Sequence, residues 1–282
     1  MGKIFSVLSW NVKHFGDGSR DSKGKLKPEF KAKVGRITEM IVSKDPDIFA
    51  LYEVKGQDVF FELMNHFEGY SFHITEGPQT QEILVGIKSD VTAFVTQRLE
   101  FKANNPNLRP GLFVTISRNE KRYSLLFLHL KSMPDPYGWG MRDLMWDKMR
   151  SLKKALNGMA GGAEKAHFIV MGDLNTMGMN LTFSQKDFAG DEELKRFDEM
   201  VKAPSYGLKR LSKTHDLTYR TESGTLKSDL DHVYASNHLR FAQHEGSEVK
   251  VIGWPEKQTE EDTKEWIQNY SDHAMLYFEI EE

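Results

Sequence analysis

The sequence contains no cysteine among its 282 residues. This absence excludes disulfide bonds, thiolate-bound metals and a cysteine nucleophile. Any metal that the protein binds must therefore be held by oxygen or histidine ligands, and oxygen-rich ligand sets suit Mg²⁺, Mn²⁺ or Ca²⁺. The rest of the composition, with 39% hydrophobic and 28% charged residues, is ordinary for a globular protein with a sizeable core.

Long apolar runs are lacking as well. No segment approaches the ~20 consecutive apolar residues that a membrane-spanning helix requires. The first residues, MGKIFSVLSWNV, have too short an apolar run for a secretion signal and no small-residue cleavage site, so they fit a first strand better. We therefore expect a cytoplasmic protein without a membrane span.

Charge of one sign is not in large excess, because the formal net charge is −3 at pH 7. The distribution is nevertheless uneven, with eight Lys or Arg against three Asp or Glu between residues 13 and 36 and an acidic tail from residue 256. A local basic patch can contact phosphates despite an acidic total. A solvated loop and helix face would show the same pattern, so charge alone leaves both interpretations open.

Short apolar runs alternate with amphipathic segments along the chain. The pattern predicts strands at 4–12, 47–54, 71–76, 82–88, 111–117, 123–130, 166–173, 231–236 and 274–280. It predicts helices at 28–44, 57–68, 142–159 and 190–201, and turn-rich connections at 13–27, 131–141 and 203–229. Many strands with few helices between them indicate two packed sheets with helices outside, in one domain of residues 1–282.

Polar residues stand at the ends of the apolar predicted strands: Asn11, Glu53, His129, Asp173, Asn175, Asp231, His232, Asp272 and His273. Each has an ordinary structural explanation, because asparagines form turns, carboxylates cap strands, and a histidine in an apolar strand is more often a core residue than a catalyst. Together they supply carboxylates for a hard cation, amides that can orient a phosphate, and two histidines with acidic partners. The strand ends on one rim of a sandwich can bring distant residues of this kind together.

These residues belong to a series of motifs that resembles the endonuclease/exonuclease/phosphatase superfamily, which includes deoxyribonuclease I and exonuclease III-type apurinic endonucleases. The motifs occur in family order across residues 9 to 280: SWNV, YEVK, HLKS, GDLN, SDLDHVYAS and SDHA. Six motifs in order are specific for the superfamily but not for a substrate. The resemblance implies a four-layered α/β sandwich, with two packed, mostly antiparallel sheets flanked by helices.

The resemblance also implies a divalent metal, Mg²⁺ or Mn²⁺. Glu53 corresponds to the principal metal ligand, and Asn11 and Asp272 are expected close to the same ion. Tyr52 stands where the family usually has a glutamine, so the support behind the metal-binding glutamate can differ.

Two residues of the GDLN motif, Asp173 and Asn175, are expected by resemblance to hold or polarise the attacking water and the phosphate. The chemistry of phosphodiester hydrolysis has the same requirements independently of the resemblance. A water must become nucleophilic, a pentavalent dianion must be stabilised, and a leaving oxygen must be protonated.

The two histidines of the motifs, His129 and His273, are expected by resemblance to contact the scissile phosphate as acid, base or charge stabiliser. Asp231 would orient His273. Glu82, at the start of the strand EILVGIK, is the best match to the glutamate that orients the first histidine in the deoxyribonuclease I branch. A histidine at position 129 argues against the apurinic endonucleases, which carry a tyrosine near this position.

Contacts to the substrate phosphates are predicted for Asn11, Asn175, Arg109, Lys131 and Lys55. Arg109 precedes Pro110 at a position resembling a phosphate contact of deoxyribonuclease I, although a loop arginine before a turn proline is an equal alternative. Lys131 can equally be an exposed neighbour of the histidine motif.

The leading hypothesis is a metal-dependent phosphodiesterase that hydrolyses nucleic acid, most specifically a monomeric DNA endonuclease of low sequence specificity. The aromatic segment 133–146 could stack on bases, or it could cover the core. A phosphatase or phosphodiesterase of a small molecule or lipid headgroup is the alternative, which the mildly negative charge keeps open. A catalytically inactive binding module is disfavoured because none of the main motif residues is missing.

Overall fold

The computed structural model describes residues 2–181 and 187–282 of the chain. These residues contain fifteen strands, five α-helices and two short 3-10 helices. The strands are β1 (Lys3–Phe15), β2 (Ile48–Val54), β3 (Tyr70–Ile74), β4 (Glu82–Lys88), β5 (Ala93–Arg98), β6 (Gly111–Arg118), β7 (Lys121–His129), β8 (His167–Asp173), β9 (Leu208–Arg210), β10 (Tyr219–Arg220), β11 (Lys227–Ser228), β12 (Asp231–Ser236), β13 (Arg240–Phe241), β14 (Lys250–Ile252) and β15 (Met275–Glu281). The helices are α1 (Pro28–Val42), α2 (Gln57–Met64), α3 (Pro136–Ala160), α4 (Gly190–Lys202) and α5 (Glu260–Asn269).

The strands form two large sheets. The first has the order β13-β15-β1-β2-β4-β3, with β14 also paired to β15, and the second has the order β5-β6-β7-β8-β12-β9. The ladders β1–β2 and β7–β8 are parallel, and the other ladders between the strands named here are antiparallel. The prediction of two mostly antiparallel sheets is therefore confirmed.

The two sheets pack face to face, with β1 against β8 and β4 against β7. One buried apolar cluster contains the residues between the sheets together with those of α1, α2 and α5, and a second joins the outer face of the second sheet to α3 and α4. Helix α1 illustrates the cause, because Phe30, Val34, Ile37 and Ile41 recur at helical spacing and are all buried. The result is the predicted four-layered α/β sandwich. Within the described residues, no helix is long and apolar enough to cross a bilayer.

One rim of the sandwich collects the polar strand ends. Each sheet contains a parallel pair joined by a helix, β1–α1–β2 and β7–α3–β8, and parallel strands end at the same edge. The antiparallel neighbours β4, β12 and β15 begin where those strands end. The topology therefore places at one rim residues from six strands and one residue just before β15: Asn11, Glu53, Glu82, His129, Asp173, Asp231 and His273.

The main errors of the sequence-based prediction concern helix boundaries near the surface. The segment 131–141 was predicted as a connection, but α3 already begins at Pro136 because the carboxylate of Asp135 accepts a hydrogen bond from the Gly138 N–H (2.8 Å). Helix α5 was not predicted at all. Trp146, from the predicted aromatic segment, is buried against Phe197 of α4 with the ring centroids 4.3 Å apart, so it covers the core rather than reaching a substrate.

Gly172 is required for the two sheets to approach at the rim. Its φ is +137°, and a Cβ there would lie 2.0 Å from the Leu128 carbonyl oxygen and 2.8 Å from the Tyr52 hydroxyl. We expect Gly172→Ala to lower the free energy of unfolding by more than about 2 kcal/mol in urea titrations. Gly35→Ala is the matched control, because Gly35 lies within α1 with nothing within 4 Å of its Cβ position, and it should be neutral or slightly stabilising. Equal stability of both variants would contradict the prediction.

Candidate active site

Asn11 links the two sheets at the polar rim. Its Nδ2 donates to Oε1 of Glu53 (3.2 Å), on the neighbouring strand, and to Oδ2 of Asp173 (2.9 Å), on the second sheet. Both Asn11 and Asp173 are buried. A single amide therefore holds two carboxylates of distant sequence position side by side.

A bulge at the end of β2 directs Glu53 into this cluster. The register of the β2–β4 ladder shifts between Leu51 and Val54, and Glu53 has a φ of +62°, a conformation that is costly for a residue with a Cβ. Its Oε2 accepts from the His14 backbone N–H (2.9 Å) and lies 3.0 Å from Nδ1 of the same histidine. Such strain at a polar rim is typical of functional sites.

Tyr52 supports the cluster from between the sheets. Its hydroxyl lies 3.0 Å from Oγ of Ser9 and 3.4 Å from the Met171 carbonyl oxygen, so it connects the first sheet to the second. A fully buried phenol thus stands at the position before Glu53 where the family usually has a glutamine, and it links the two sheets.

His273 lies between two carboxylates. Its Nδ1 donates to Oδ2 of Asp231 (2.8 Å), and its Nε2 lies 3.8 Å from Oδ2 of Asp173. Burial alone would lower the pKa of His273, but these carboxylates outweigh it and raise the pKa to about 10. The ring of Tyr219 packs against the imidazole with the centroids 4.9 Å apart. The backbone N–H of Asp231 donates to the hydroxyl of Thr218 (2.9 Å), which fixes the start of β12.

His129 occupies a contrasting environment. Its Nε2 lies 3.5 Å from Oδ2 of Asp173, whereas its Nδ1 is buried without a hydrogen-bond partner among the described residues. Burial, together with the positive charge of Arg109, holds its pKa well below the usual range. The site therefore pairs a protonated histidine, His273, with a neutral one.

Glu82 is not brought to His129 as the sequence had suggested. Its Oε2 accepts from the Thr75 hydroxyl (2.6 Å) and from Nε2 of Gln79 (2.7 Å). These two bonds turn the carboxylate toward the loop that precedes β4, which is why Nδ1 of His129 lacks the predicted carboxylate partner.

Asn175 is held in place by the chain around it. Its backbone N–H donates to Oδ1 of Asp173 (3.1 Å), and its Nδ2 donates to the Leu130 carbonyl oxygen (3.2 Å). Its φ of +50° is a left-handed conformation that asparagine tolerates well. Asp173 and Asn175 thus both face the rim.

Asp272 lies close to the site and is paired with a lysine. Its Oδ2 forms an ion pair with Nζ of Lys13 (2.9 Å), and in the described part of the chain it is not a member of the carboxylate clusters that could bind an ion. Lys13 reaches it because β1 twists into a left-handed conformation, with φ +42°, at this residue. Asp272 thus lies beside the cluster with a lysine as its ion-pair partner, and its proximity to a bound ion stays a prediction.

Arg109 does reach the rim. Its Nη2 donates to Oε1 of Gln81, and Nε2 of Gln81 lies 3.2 Å from Nδ1 of His14. Burial lowers the pKa of Arg109, and the charges of Asp173 and Glu53 oppose that effect, which places the guanidinium within their field. The two predicted lysines have partners outside the carboxylate cluster, since Lys55 donates to Asp17 and Lys131 donates to the Ser132 carbonyl oxygen, and their contacts to phosphate stay predictions.

The donor set fits a hard divalent cation. Two groups each bring three ligating atoms within 4.8 Å of one another, Glu53–His129–Asp173 and Asp173–Asp231–His273. The carboxylate oxygens are ligands that Mg²⁺ and Mn²⁺ prefer. Burial and the neighbouring Asp231 and Glu53 raise the pKa of Asp173, so a cation beside this carboxylate would favour its ionised form.

The sequence profile of the Endonuclease/Exonuclease/phosphatase family matches residues 8–273. The chain belongs to this family. Endonuclease/exonuclease/phosphatase proteins are metal-dependent phosphoester hydrolases, in agreement with the chemistry of the rim. A search of curated proteins finds no sequence significantly similar to the chain.

Solved structures of other members share the fold. A humanized D. rerio TDP2 superposes with a TM-score of 0.66 at 14% identity, covering 99% of each chain. A truncated Caenorhabditis elegans TDP2 gives 0.65 at 16% identity, covering 98% of this chain and 97% of the other. The human Nocturnin catalytic domain gives 0.60 at 17% identity, covering 98% and 94%. These identities establish the common fold and leave the substrate open.

Several residues at the rim of this family member were not singled out from the sequence. His14 contacts Glu53, Gln81 links His14 to Arg109, and Tyr219 packs on His273. Their positions depend on left-handed residues and on long connections, which have no periodicity. The only available signal was the location of His14 three residues after the SWNV asparagine.

The pKa of His273 should depend on Asp231. In metal-free protein, Asp231→Asn is expected to lower the His273 pKa from about 10 toward the ordinary value of ~6.5, as measured by NMR titration of the imidazole. Because the folded-state pKa is raised, this group's contribution to stability is complete below ~pH 6.5 and is lost as the pH rises through about 10. His73, whose pKa is lowered by burial, is the internal control and should not change. An unaltered His273 titration would refute the assignment.

Proposed function

We propose that the protein is a Mg²⁺- or Mn²⁺-dependent phosphodiesterase that hydrolyses DNA, as an endonuclease of low sequence specificity. The observation that supports this function most directly is the cluster of Glu53, Asp173 and two unlike histidines beside the basic segment 13–36. Lys23 and Lys25 in that segment are exposed. An exposed basic loop next to a hydrolytic site favours a substrate with many phosphates over a single small phosphoester.

Glu53 and Asp173 are the residues that would bind the divalent cation, with Asn11 keeping their carboxylates together. When bound, the cation supplies positive charge to the phosphate oxygens. Asp173 has a raised pKa because it is buried among other carboxylates, and this makes Oδ2 a suitable acceptor for a proton from the attacking water.

The two histidines have different roles in the proposed reaction. His273, protonated through its bond to Asp231, presents Nε2–H to the dianion that develops on the phosphate and can donate that proton to the leaving oxygen. His129, neutral because it is buried beside Arg109, acts as an uncharged hydrogen-bonding group. Arg109 itself adds a fixed positive charge near the same phosphate.

A structural neighbour supports DNA as the substrate class. D. rerio TDP2 has been solved in complex with a single-stranded DNA product, and this chain superposes on that structure with a TM-score of 0.64 at 14% identity. We extend the DNA substrate class to this protein as part of the proposal, because the two proteins share the fold.

The test compares two substrates of the same reaction, supercoiled plasmid and bis(p-nitrophenyl) phosphate, each with Mg²⁺, Mn²⁺ or EDTA. We expect metal-dependent nicking of the plasmid. The double variant Lys23→Glu/Lys25→Glu should lower kcat/KM for plasmid cleavage by roughly tenfold near physiological salt. The slope of log kcat/KM against log salt concentration should become shallower by the amount expected for the loss of about two phosphate contacts. The double variant should leave hydrolysis of the small diester unchanged.

Lys195→Glu, on the exposed face of α4, is the matched control and should change neither substrate. Hydrolysis of the small diester without any plasmid nicking would contradict a DNA endonuclease and favour a small-molecule or lipid phosphoesterase. Equal loss on both substrates in the lysine variant would contradict the role of the basic loop.

A further inference from the structure

A groove lies on the outer face of the second sheet, between β5–β6 and the carboxyl-terminal half of α3. Its volume is about 960 Å³, and apolar side chains form its floor and walls: Phe94, Phe113, Leu152, Leu156 and Met159. Phe94 is 68% exposed and Met159 is 86% exposed, so the groove is open to solvent along its length. Large apolar side chains at this exposure on both walls indicate a surface that binds a partner.

The layers of the fold indicate the shape of that partner. Helices α3 and α4 pack on the outer face of the second sheet and bury residues of β6, β7, β8 and β12. Beyond α3, the short 3-10 helix Leu99–Lys102 packs at the Gly111 end of β6, and in the described part of the chain no α-helix covers the rest of the outer face of β5 and β6. An α-helix lying beside α3 is the element that would complete this layer, and it would bring its own apolar stripe.

The charges around the groove indicate the polarity of the partner. Its rim carries Arg98, Lys121, Arg122 and Lys165, whereas Glu120 is the one acidic residue among the described residues that line it. Arg98 is already paired with a neighbouring glutamate, with Nη2 2.6 Å from Oε1 of Glu100. Lys121, Arg122 and Lys165 are exposed and available for acidic groups of a partner.

We propose that this groove docks an amphipathic helix of a partner protein, with its apolar stripe on the groove floor and acidic residues on its flanks. The surface is separate from the catalytic rim, because Lys121 and Arg122 start β7 while His129 ends it, about 25 Å away along an extended strand. A helix bound there would leave the hydrolytic site open, so the surface would position or recruit the enzyme rather than block it.

The first experiment is a fluorescence-anisotropy titration of the whole protein with a labelled model helix. The probe is an amphipathic peptide about five turns long, with leucine at three- and four-residue spacing and glutamate on both flanks. We expect saturable binding that weakens at least roughly tenfold in Met159→Glu and in Arg122→Glu. A peptide with lysine flanks, and one with the leucines at non-helical spacing, should both bind at least tenfold more weakly than the probe.

Two control variants distinguish binding in the groove from non-specific binding of the peptide elsewhere on the surface. Met64→Glu replaces a methionine that is 50% exposed on α2, and Lys257→Glu removes an exposed positive charge elsewhere. Both should bind the probe as the wild type does, and all four variants should keep wild-type plasmid cleavage. Absence of binding by a folded protein, binding that survives both groove substitutions, or displacement of the probe by a single-stranded oligonucleotide would each overturn the proposal.

Discussion

Asp173→Asn is expected to abolish metal-dependent phosphodiester hydrolysis, lowering kcat by roughly 10³-fold or more, while the protein keeps its fold. The substitution preserves the shape of the side chain and removes its charge. Asp173 is the residue shared by both groups of ligating atoms, and its Oδ2 is within 3.8 Å of Nε2 of both His129 and His273. In the proposed mechanism, loss of its carboxylate removes a metal ligand and a proton acceptor together.

The same variant should be as stable as the wild type, or more stable, when metal is absent. The pKa of Asp173 is raised by burial and by Asp231 and Glu53, so the unfolded chain loses this proton at lower pH than the folded one. Stability therefore falls as the pH rises above the ordinary value of ~3.9 through the raised pKa, and at neutral pH the charge is a net cost. The asparagine removes that cost, which is the usual relation between stability and function at an active site.

Three measurements check this pair of expectations: plasmid cleavage, urea unfolding in EDTA, and the shift of Tm on adding Mg²⁺ or Mn²⁺. Wild-type Tm should rise with the metal and that of the variant should not. Asp90→Asn, which removes an exposed carboxylate paired with Arg118, is the control and should retain activity and the metal-induced shift. An active Asp173→Asn enzyme would remove Asp173 from the chemistry, and a variant that is inactive and strongly destabilised would show a structural role instead.

The long strands and amphipathic helices were predictable because each has many residues facing one environment. Strands β1, β2, β4, β6, β7, β8 and β15 lie inside the sandwich and have apolar runs that extend along most of their length. Strands β9, β10, β11, β13 and β14 escaped prediction because each has two or three residues, which is too few for a period to be visible. They exist because an adjacent strand offers free backbone groups. Strand β5 has six residues but was missed as well, because none of them is fully buried and it has no long apolar run.

Helix α5 shows a second reason for failure. Its sequence EEDTKEWIQN is strongly acidic, and only Thr263, Trp266 and Ile267 are buried. The signal that could have revealed it is the cap, because the Thr259 hydroxyl accepts from the backbone N–H of Asp262 (3.1 Å). Only the acidic composition of this stretch entered the prediction, although Thr259 is a typical N-cap residue that indicates the start of a helix.

The sequence was sufficient to predict which strand ends converge at the site. It was less informative about which hydrogen bonds the side chains form there. Asn11, Asp173 and His273 meet as expected because strand direction alone brings them to the rim. Glu82 and Asp272 stand at the correct strand ends, yet the Glu82 carboxylate is bonded by residues of the loop before β4 and Asp272 pairs with Lys13 at the irregular end of β1. Which hydrogen bond a side chain forms depends on such loops and left-handed residues, and these have no sequence period.

The second prediction of large effect concerns a buried ion pair behind the active loops. Arg142 of α3 and Glu193 of α4 are both buried, and Nε and Nη2 donate to the two carboxylate oxygens at 2.7 and 2.9 Å. The guanidinium also donates to the carbonyl oxygens of Lys131, Met133 and Gly178. It therefore ties the chain after His129 to the chain after Asn175.

Arg142→Met should lower the free energy of unfolding by about 3–5 kcal/mol, because the buried Glu193 carboxylate loses its charged partner and retains the Gly178 N–H, and three carbonyl oxygens lose the guanidinium donor. Burial already raises the pKa of Glu193 despite the attraction of Arg142, so the pair is expensive to desolvate. The double variant Arg142→Met/Glu193→Met should consequently recover part of the loss, which a double-mutant cycle in urea measures.

The same two helices provide the control for this cycle. Arg196 of α4 and Asp143 of α3 form an ion pair at 2.8 Å with side chains 48% and 28% exposed, and Arg196→Met should cost no more than about 1 kcal/mol. The double methionine variant should still lose kcat on plasmid, because the chain segments at Lys131, Met133 and Gly178 no longer share a common donor. Full activity in a stable double variant would show that the pair serves stability alone, and equal costs for Arg142→Met and Arg196→Met would show that its burial is unimportant.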